Sequence, residues 1–319
     1  MPQPTLTDVH VDSLLTNISI AYIQAQSRYI ASRVFPILPV AKKTDLFKTY
    51  TKADWFRDEA KPRADSSESA GSGYNLASDS YSCDVVALHK DIGDQTRTNA
   101  DSVINLDRDA TEFVTQRLLL QQEKKWVSDY FATSIWDTDV VGNTDFTRWS
   151  TFATSDPVAD IETAKETILI NTGIMPNVLV IGYQVFKILK QHPQIIDRIK
   201  YTTSENVTVQ LLARMFEVDR VEVAMATNNT AQEGATASYS FTHGKHALLL
   251  YSNPSPGLLA PSAGYTFQWT GISGGLGANV GIRRFRMELL AAERIEGQVA
   301  YDNKKVAADL GYFLSGAVV

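Results

Sequence analysis

Cysteine is almost absent. A single thiol, Cys83, excludes an intrachain disulfide and any thiolate-rich zinc or iron–sulfur site. That usage fits a reducing compartment. Long apolar runs are missing too. The longest stretches fall short of the roughly 18 residues a membrane span needs, and Asn, Thr, Lys or Gly interrupts them. Met1 to Ser13 has neither a basic start nor a continuous apolar run, so it does not read as a signal peptide. A soluble protein without membrane contact is expected. Positive charge is the scarcer sign: 30 Lys and Arg stand against 36 Asp and Glu, a formal charge of -6. A protein that grips DNA phosphates usually has the opposite balance, so sequence-specific DNA binding is not expected. No internal repeat is visible. What remains is ordinary globular usage, 44% hydrophobic and 21% charged over 319 residues, which excludes wholesale disorder and allows a large core.

The first 35 residues read as an arm. Val11, Leu14, Leu15, Ile18, Tyr22, Ala25 and Tyr29 recur at three- and four-residue spacings, one face of a helix. Pro36 and Pro39 end such a helix at Phe35 or before. Its apolar stripe must cover either its own core or a neighbouring copy. Val40–Phe56 and Tyr74–Lys90 are rich in β-branched and aromatic residues and predict strands. Between them Arg57 to Gly73 holds no large apolar residue, which predicts a solvated tip on a long hairpin-like loop.

Residues 105–133 carry the strongest helical pattern. Leu106, Ala110, Phe113, Val114, Leu118, Leu120, Val127, Tyr130 and Phe131 fall at helical spacing, with Asn105 or Asp107 placed to cap the start. Such a helix spans about 40 Å. From 155 to 260 helix and strand signals alternate. Asp156-Pro157 opens a helix that Gly173 ends, Asn177–Gly182 is a buried strand, and Tyr183–Gln191 is a helix stopped by Pro193. Val209–Phe216 is a helix, Val218–Ala226 a strand, and Ser238–Tyr251 holds two strands around His243-Gly244. This is a compact α/β unit. The rest, Tyr265–Trp269, Arg283–Leu290, Val299–Val306 and Gly311–Val319, reads as strand.

Motifs that carry chemistry fail on context. Gly271-Ile272-Ser273-Gly274-Gly275 matches a nucleophile elbow, but glycines follow where a helix is required, and all five histidines precede Ser273. A hydrolase using Ser273 is the alternative this motif leaves. Gly275 to Gly281 resembles a dinucleotide fingerprint, yet a basic strand follows it instead of a helix N-terminus. His243 and His246 flank a turn and read as a structural pair, not as metal ligands. Arg283, Arg284 and Arg286 form the densest basic cluster, but Glu288, Glu293 and Glu296 follow, which favours intersubunit salt bridges over a nucleic-acid footprint. No catalytic, cofactor or metal site is expected.

Taken in order, several segments resemble the major capsid proteins of tailed bacteriophages, those of the HK97-type fold. They are Ile30-Ala31-Ser32-Arg33-Val34-Phe35-Pro36, Pro39-Val40, Trp55-Phe56-Arg57-Asp58-Glu59-Ala60, Tyr81 to Ile92, and Leu119 to Glu123. They continue with Ser155-Asp156-Pro157, Thr172 to Asn177, Leu211 to Phe216, Pro261 to Trp269, and Ile295-Glu296-Gly297. No piece is a strict signature; the order along the chain carries the match.

The resemblance implies an α+β fold with an N-terminal arm (1–35), an extended β loop (36–91) and a peripheral domain with a long spine helix (92–154). An axial α/β domain (155–265) follows, and 266–319 returns to the peripheral domain. It further implies a structural, non-enzymatic protein that self-assembles into hexamers and pentamers of an icosahedral head around double-stranded DNA. Val11, Leu14, Leu15, Ile18, Tyr22, Trp55, Phe56, Arg57, Arg283, Arg284 and Arg286 are the expected intersubunit contacts. Implied partners are further copies of the chain, a separate scaffolding protein, a portal, a decoration protein, and packaged DNA bound without sequence specificity. The implied location is the virion, assembled in the host cytoplasm. A bacterial nanocompartment shell is the other alternative.

Overall fold

The computed structural model describes residues 24–50, 52–100, 105–199, 207–255, 257, 260–272 and 281–319. The arm stripe from Val11 to Tyr22 lies outside the described residues, as does Ser273 with the glycine run after it.

The chain enters through a 3₁₀ turn, Gln26–Arg28, and a short helix α1 (Ala31–Val34) that ends just before Pro36, as the prolines require. Ala25 and Tyr29 are extended, so the helical stripe does not continue through them. Strands β1 (Ile37–Val40) and β2 (Thr44–Tyr50) follow, then a single helical turn α2 (Lys52–Trp55) where strand was expected. The chain comes back along β3 (Leu76–Ser82) and β4 (Asp84–Gly93). β2 and β3 pair antiparallel from Thr44↔Ser82 to Tyr50↔Leu76, the projecting hairpin expected from composition.

After α3 (Asp94–Thr98) comes the long helix α4, Leu106–Tyr130. Asn105 caps it by accepting from the Arg108 amide, and Asp107 and Asp109 sit at the positive end of its dipole. α4 lies against β4 and β13 (Ala292–Lys305).

The α/β unit contains β5 (Thr138–Val141), α5 (Pro157–Thr172), β6 (Val178–Gly182), α6 (Tyr183–Leu189), α7 (Pro193–Ile199), α8 (Val209–Met215), β7 (Arg220–Ala224), β8 (Thr227–Asn229), β9 (Tyr239–Phe241) and β10 (Ala247–Leu250). Asp156 caps α5 through the Val158 and Ala159 amides, Pro157 occupies its first turn, and Gly173 closes it at φ +69°. Every residue of β6 and β10 is buried, as expected of strands covered on both faces. Pro193, expected only to stop α6, also starts α7. Its ring fits the first helical turn, where no amide donor is needed.

β11 (Gly264–Trp269), β12 (Gly281–Met287), β13 and β14 (Gly311–Ser315) complete the chain. Two five-stranded sheets result. The first runs β1-β11-β13-β12, with β4 also on β13; the second runs β5-β14-β10-β6-β7. Two assignments by sequence position therefore change. β5, within 92–154, and β14, within 266–319, both belong to the second sheet, with β14 between β10 and β5. β9 pairs with β8 in a separate two-stranded sheet. The main core joins both layers: Phe35 lies among Trp126, Tyr130 and Trp136, with ring centroids 5.5, 4.9 and 6.5 Å away.

Candidate intersubunit surfaces

Two projections present the residues singled out above. The first is the β2–β3 hairpin tip. Tyr50, Trp55 and Tyr74 cluster with centroids 5.8 to 5.9 Å apart. Asp54 closes the tip by accepting from both the backbone and the side chain of Asn75 at 2.9 and 3.0 Å. Trp55 and Phe56 nevertheless remain 55% and 65% exposed, and Leu46 and Leu76 on the same hairpin are also open. Arg57 reaches Glu59 at 3.4 Å and stays largely solvated. From Arg57 to Gly73 there is no helix or strand. The tip touches the second layer through the Lys52–Asp309 ion pair at 2.6 Å and through the Phe56 ring, which lies over the Gly173 turn. The Lys52–Asp309 and Phe56–Gly173 contacts were not found by sequence reasoning, because each joins segments more than a hundred residues apart.

The second projection is the β12–β13 hairpin. Its register sets Arg284 opposite Ile295 and Arg286 opposite Glu293. Arg284 pairs with Glu293 and, at 3.2 Å, with Asp107 at the start of α4. Arg97 bridges the same two acids at 2.7 Å each. Arg286 forms a two-pronged pair with Asp94 at 2.5 and 2.6 Å, and Arg283 faces the Gln298 carboxamide. Hydrogen bonds from Arg286 and Arg97 hold the Asp94 and Asp107 carboxyls below their ordinary range. The partners of Arg284 and Arg286 are thus acids of their own chain. This clasp fixes the hairpin to α3 and α4 within one chain. Glu293 comes from β13 itself, whereas Asp94 and Asp107 come from α3 and α4, a pairing that sequence order does not show. Beyond the clasp Leu289 stands at the turn, 99% exposed.

A buried serine–histidine contact, Ser155 with His192, is wired for structure. Ser155 Oγ donates to the Thr151 carbonyl at 2.9 Å, and His192 Nδ1 accepts from the Gln194 amide at 3.2 Å. His192 Nε2 therefore carries the proton that meets Ser155 Oγ at 2.9 Å, the reverse of a general base. His246 Nδ1 accepts from the Gly316 amide at 3.0 Å, and Gly244 makes the intervening turn at φ +59°. Among the described residues no cluster of His, Cys, Asp or Glu has the makings of a metal site, and no helix is long and apolar enough to cross a membrane.

A long helix laid on a sheet, a projecting two-stranded loop and a second α/β layer together define the HK97-type shell fold. Solved structures bear this out. A phage-related protein from Bordetella bronchiseptica RB50 is 25% identical, with a TM-score of 0.68 over 92% of this chain and 94% of its own. The capsid of cyanophage P-SCSP1u is 11% identical, with a TM-score of 0.63 over 98% and 95%. The SrpI encapsulin of Synechococcus elongatus is 11% identical, with a TM-score of 0.53 over 95% and 93%. In sequence, the chain is 29% identical over 318 residues to the major capsid protein of Burkholderia phage BcepMu, covering 96% of both. It is 26% identical over 324 residues to that of Pseudomonas phage JBD67, covering 97% of both. No family model matches. The chain is a homologue of phage major capsid proteins with the HK97-type fold.

Proposed function

We propose that this chain is the major capsid protein of a tailed bacteriophage, assembling through hexamers and pentamers into an icosahedral head around double-stranded DNA. The observation that carries the reading is the end-to-end match to two phage major capsid proteins, with 96–97% of each chain covered. Repeated head-to-tail contacts with a closing rotation make rings, and rings tile a shell. The encapsulin likeness, at 11% identity, shows the fold alone and does not favour a nanocompartment.

In this reading α4 is the spine of the peripheral domain, the β2–β3 hairpin is the extended loop, and the second sheet is the axial domain. Residues 1–35 act as the arm. Trp55, Phe56 and Arg57 meet a neighbouring copy, as do the stripe Val11, Leu14, Leu15, Ile18 and Tyr22 and the basic cluster Arg283, Arg284 and Arg286. The role is structural and not enzymatic, with no cofactor. A separate scaffolding protein, a portal and a decoration protein are the proposed further partners, with assembly in the host cytoplasm and DNA held without sequence specificity. Net charge of -6 suits a wall that releases its genome. Expression alone and with co-expressed scaffolding protein, followed by sedimentation and negative-stain microscopy, tests this. Capsomers or closed shells support it. A strictly monomeric species under both conditions contradicts it.

A further inference from the structure

Glu123 sits in the middle of α4 with no solvent exposure, although nothing in the helical pattern marks it as a core position. Its Oε2 accepts from the amides of Ile30 and Ala31 at 3.0 and 2.9 Å, the free amides at the start of α1, and its Oε1 shares the Ile30 amide at 3.1 Å. Its Oε1 faces His243 Nε2 at 3.5 Å, and His243 is as fully buried as Glu123. The imidazole lies between Trp126 and Phe131, with ring centroids 5.8 and 5.1 Å away.

The hydrogen bonds around this pair fix where protons sit. Thr242 Oγ1 donates to the Ala226 carbonyl at 3.1 Å, so it accepts from His243 Nδ1 at 3.0 Å. Nδ1 therefore carries the imidazole hydrogen, and Nε2 turns a lone pair toward Glu123. Among the described residues Nε2 has no other partner. Two acceptors, Oε1 and Nε2, thus face each other in a site closed to water. One further proton between them converts this repulsion into a donor–acceptor contact.

We propose that seating of Tyr29–Phe35 on α4 holds one proton between Glu123 and His243, and that lifting this segment exposes Glu123 and releases the proton. The segment leads the chain into the core, so its own attachment to α4 becomes sensitive to pH. Burial supports this assignment. It pushes the Glu123 carboxyl up to about 7 against the pull of the two amides, and it pushes His243 down to about 3. Other charges facing the pair are few. Arg33 of α1 lowers the Glu123 value and Glu222 of β7 raises it, and those two pair with each other at 3.0 Å. Tyr29 bonds Gln116 at 3.2 Å, and His246 adds to the depression of His243.

The sign follows from linkage. Seated, Glu123 keeps its proton up to about 7; once exposed, it loses the proton near the ordinary carboxylate value of about 4.3. Seating is strongest below the ordinary value and weakens as pH rises through about 7. His243, held by Thr242 between Trp126 and Phe131, stays in place when the segment lifts.

Hydrogen exchange by mass spectrometry on the full-length protein tests the proposal. Peptides covering Ile30 and Ala31 are compared at pH 5 and pH 8 after correction for intrinsic exchange, with Leu248–Leu250 of β10 as a control. Protection at Ile30–Ala31 should fall at least tenfold while β10 is unchanged. Glu123→Gln should abolish the pH dependence, since its carboxamide donates permanently to Nε2 and still accepts from the amides. Equal protection at both pH values in the native protein overturns the proposal, as does an undiminished pH dependence in Glu123→Gln. Should that variant not fold, nitrogen-15 histidine spectra of the native protein decide. His243 should remain neutral with the proton on Nδ1 at pH 5, whereas His192 and His246 accept at Nδ1. Carbon-13 spectra of the Glu123 carboxyl complete the test: an ionised Glu123 beside a neutral His243 at pH 5 overturns the proposal.

Discussion

Phe35 meets Trp126 edge-on, with centroids 5.5 Å apart and planes at 85°. Through this contact the end of the entering segment is locked onto α4, and neither ring is exposed to solvent. Removing Phe35 leaves a cavity bordered by Trp126, Tyr130 and Trp136, which are too large and too constrained to refill it. Phe35→Ala should cost about 3–5 kcal/mol of folding stability. Denaturant unfolding of the subunit reads this directly; a loss under 1 kcal/mol would mean that the segment is not part of the core.

Gly182 ends β6 where a Cβ would run into the Gly244 carbonyl, a backbone atom that has no rotamer in which to retreat. Gly182→Ala should therefore destabilise the second sheet by about 1–3 kcal/mol. By contrast, Gly71→Ala meets nothing nearby and should be neutral. The paired thermal midpoints check this.

Trp55 and Phe56 are mostly exposed in the subunit, so their loss should leave folding within about 0.5 kcal/mol of the parent. Assembly should respond instead. Trp55→Ala with Phe56→Ala should unfold normally and yield few closed shells. Full shell yield from the double variant would remove the tip from the list of contacts.

The Arg97–Asp107–Arg284–Glu293 cluster and the Arg286–Asp94 pair lower the carboxyl values of Asp107 and Asp94. Their contribution is present above the ordinary Asp value of about 3.9 and is lost as pH falls through the depressed folded values. These groups are solvated, so the effect is modest and screened by salt. The difference in thermal midpoint between the parent and Asp107→Asn should be largest near neutral pH and shrink toward pH 3. A gap unchanged by acid would assign the effect to Asp107's place at the helix start rather than to its charge.

Much of the fold is legible locally. Asp156, Pro157 and Gly173 bracket α5 by capping and left-handed geometry alone, and the apolar run Val178–Ile181 announces a strand buried on both faces. The hairpin tip is equally plain from the lack of large apolar residues between Arg57 and Gly73. Non-local choices are hidden. β14 looks like any apolar strand, and only pairing shows that it joins β10 rather than β13. Glu123 lies among polar residues in the helix and gives no sign of burial. Its partners, Ile30, Ala31 and His243, come from distant parts of the chain. For Arg284 and Arg286, sequence order does not show that Asp107 and Asp94 of the same chain sit within reach.

Electron cryomicroscopy of the purified, assembled protein tests the central claim most directly. The account predicts closed icosahedral shells of hexamers and pentamers, with α4 and the first sheet outermost around each ring and the second sheet toward its axis. Density for the β2–β3 tip should lie against an adjacent copy. A discrete monomer or small oligomer that builds no shell, with or without scaffolding protein, would contradict it.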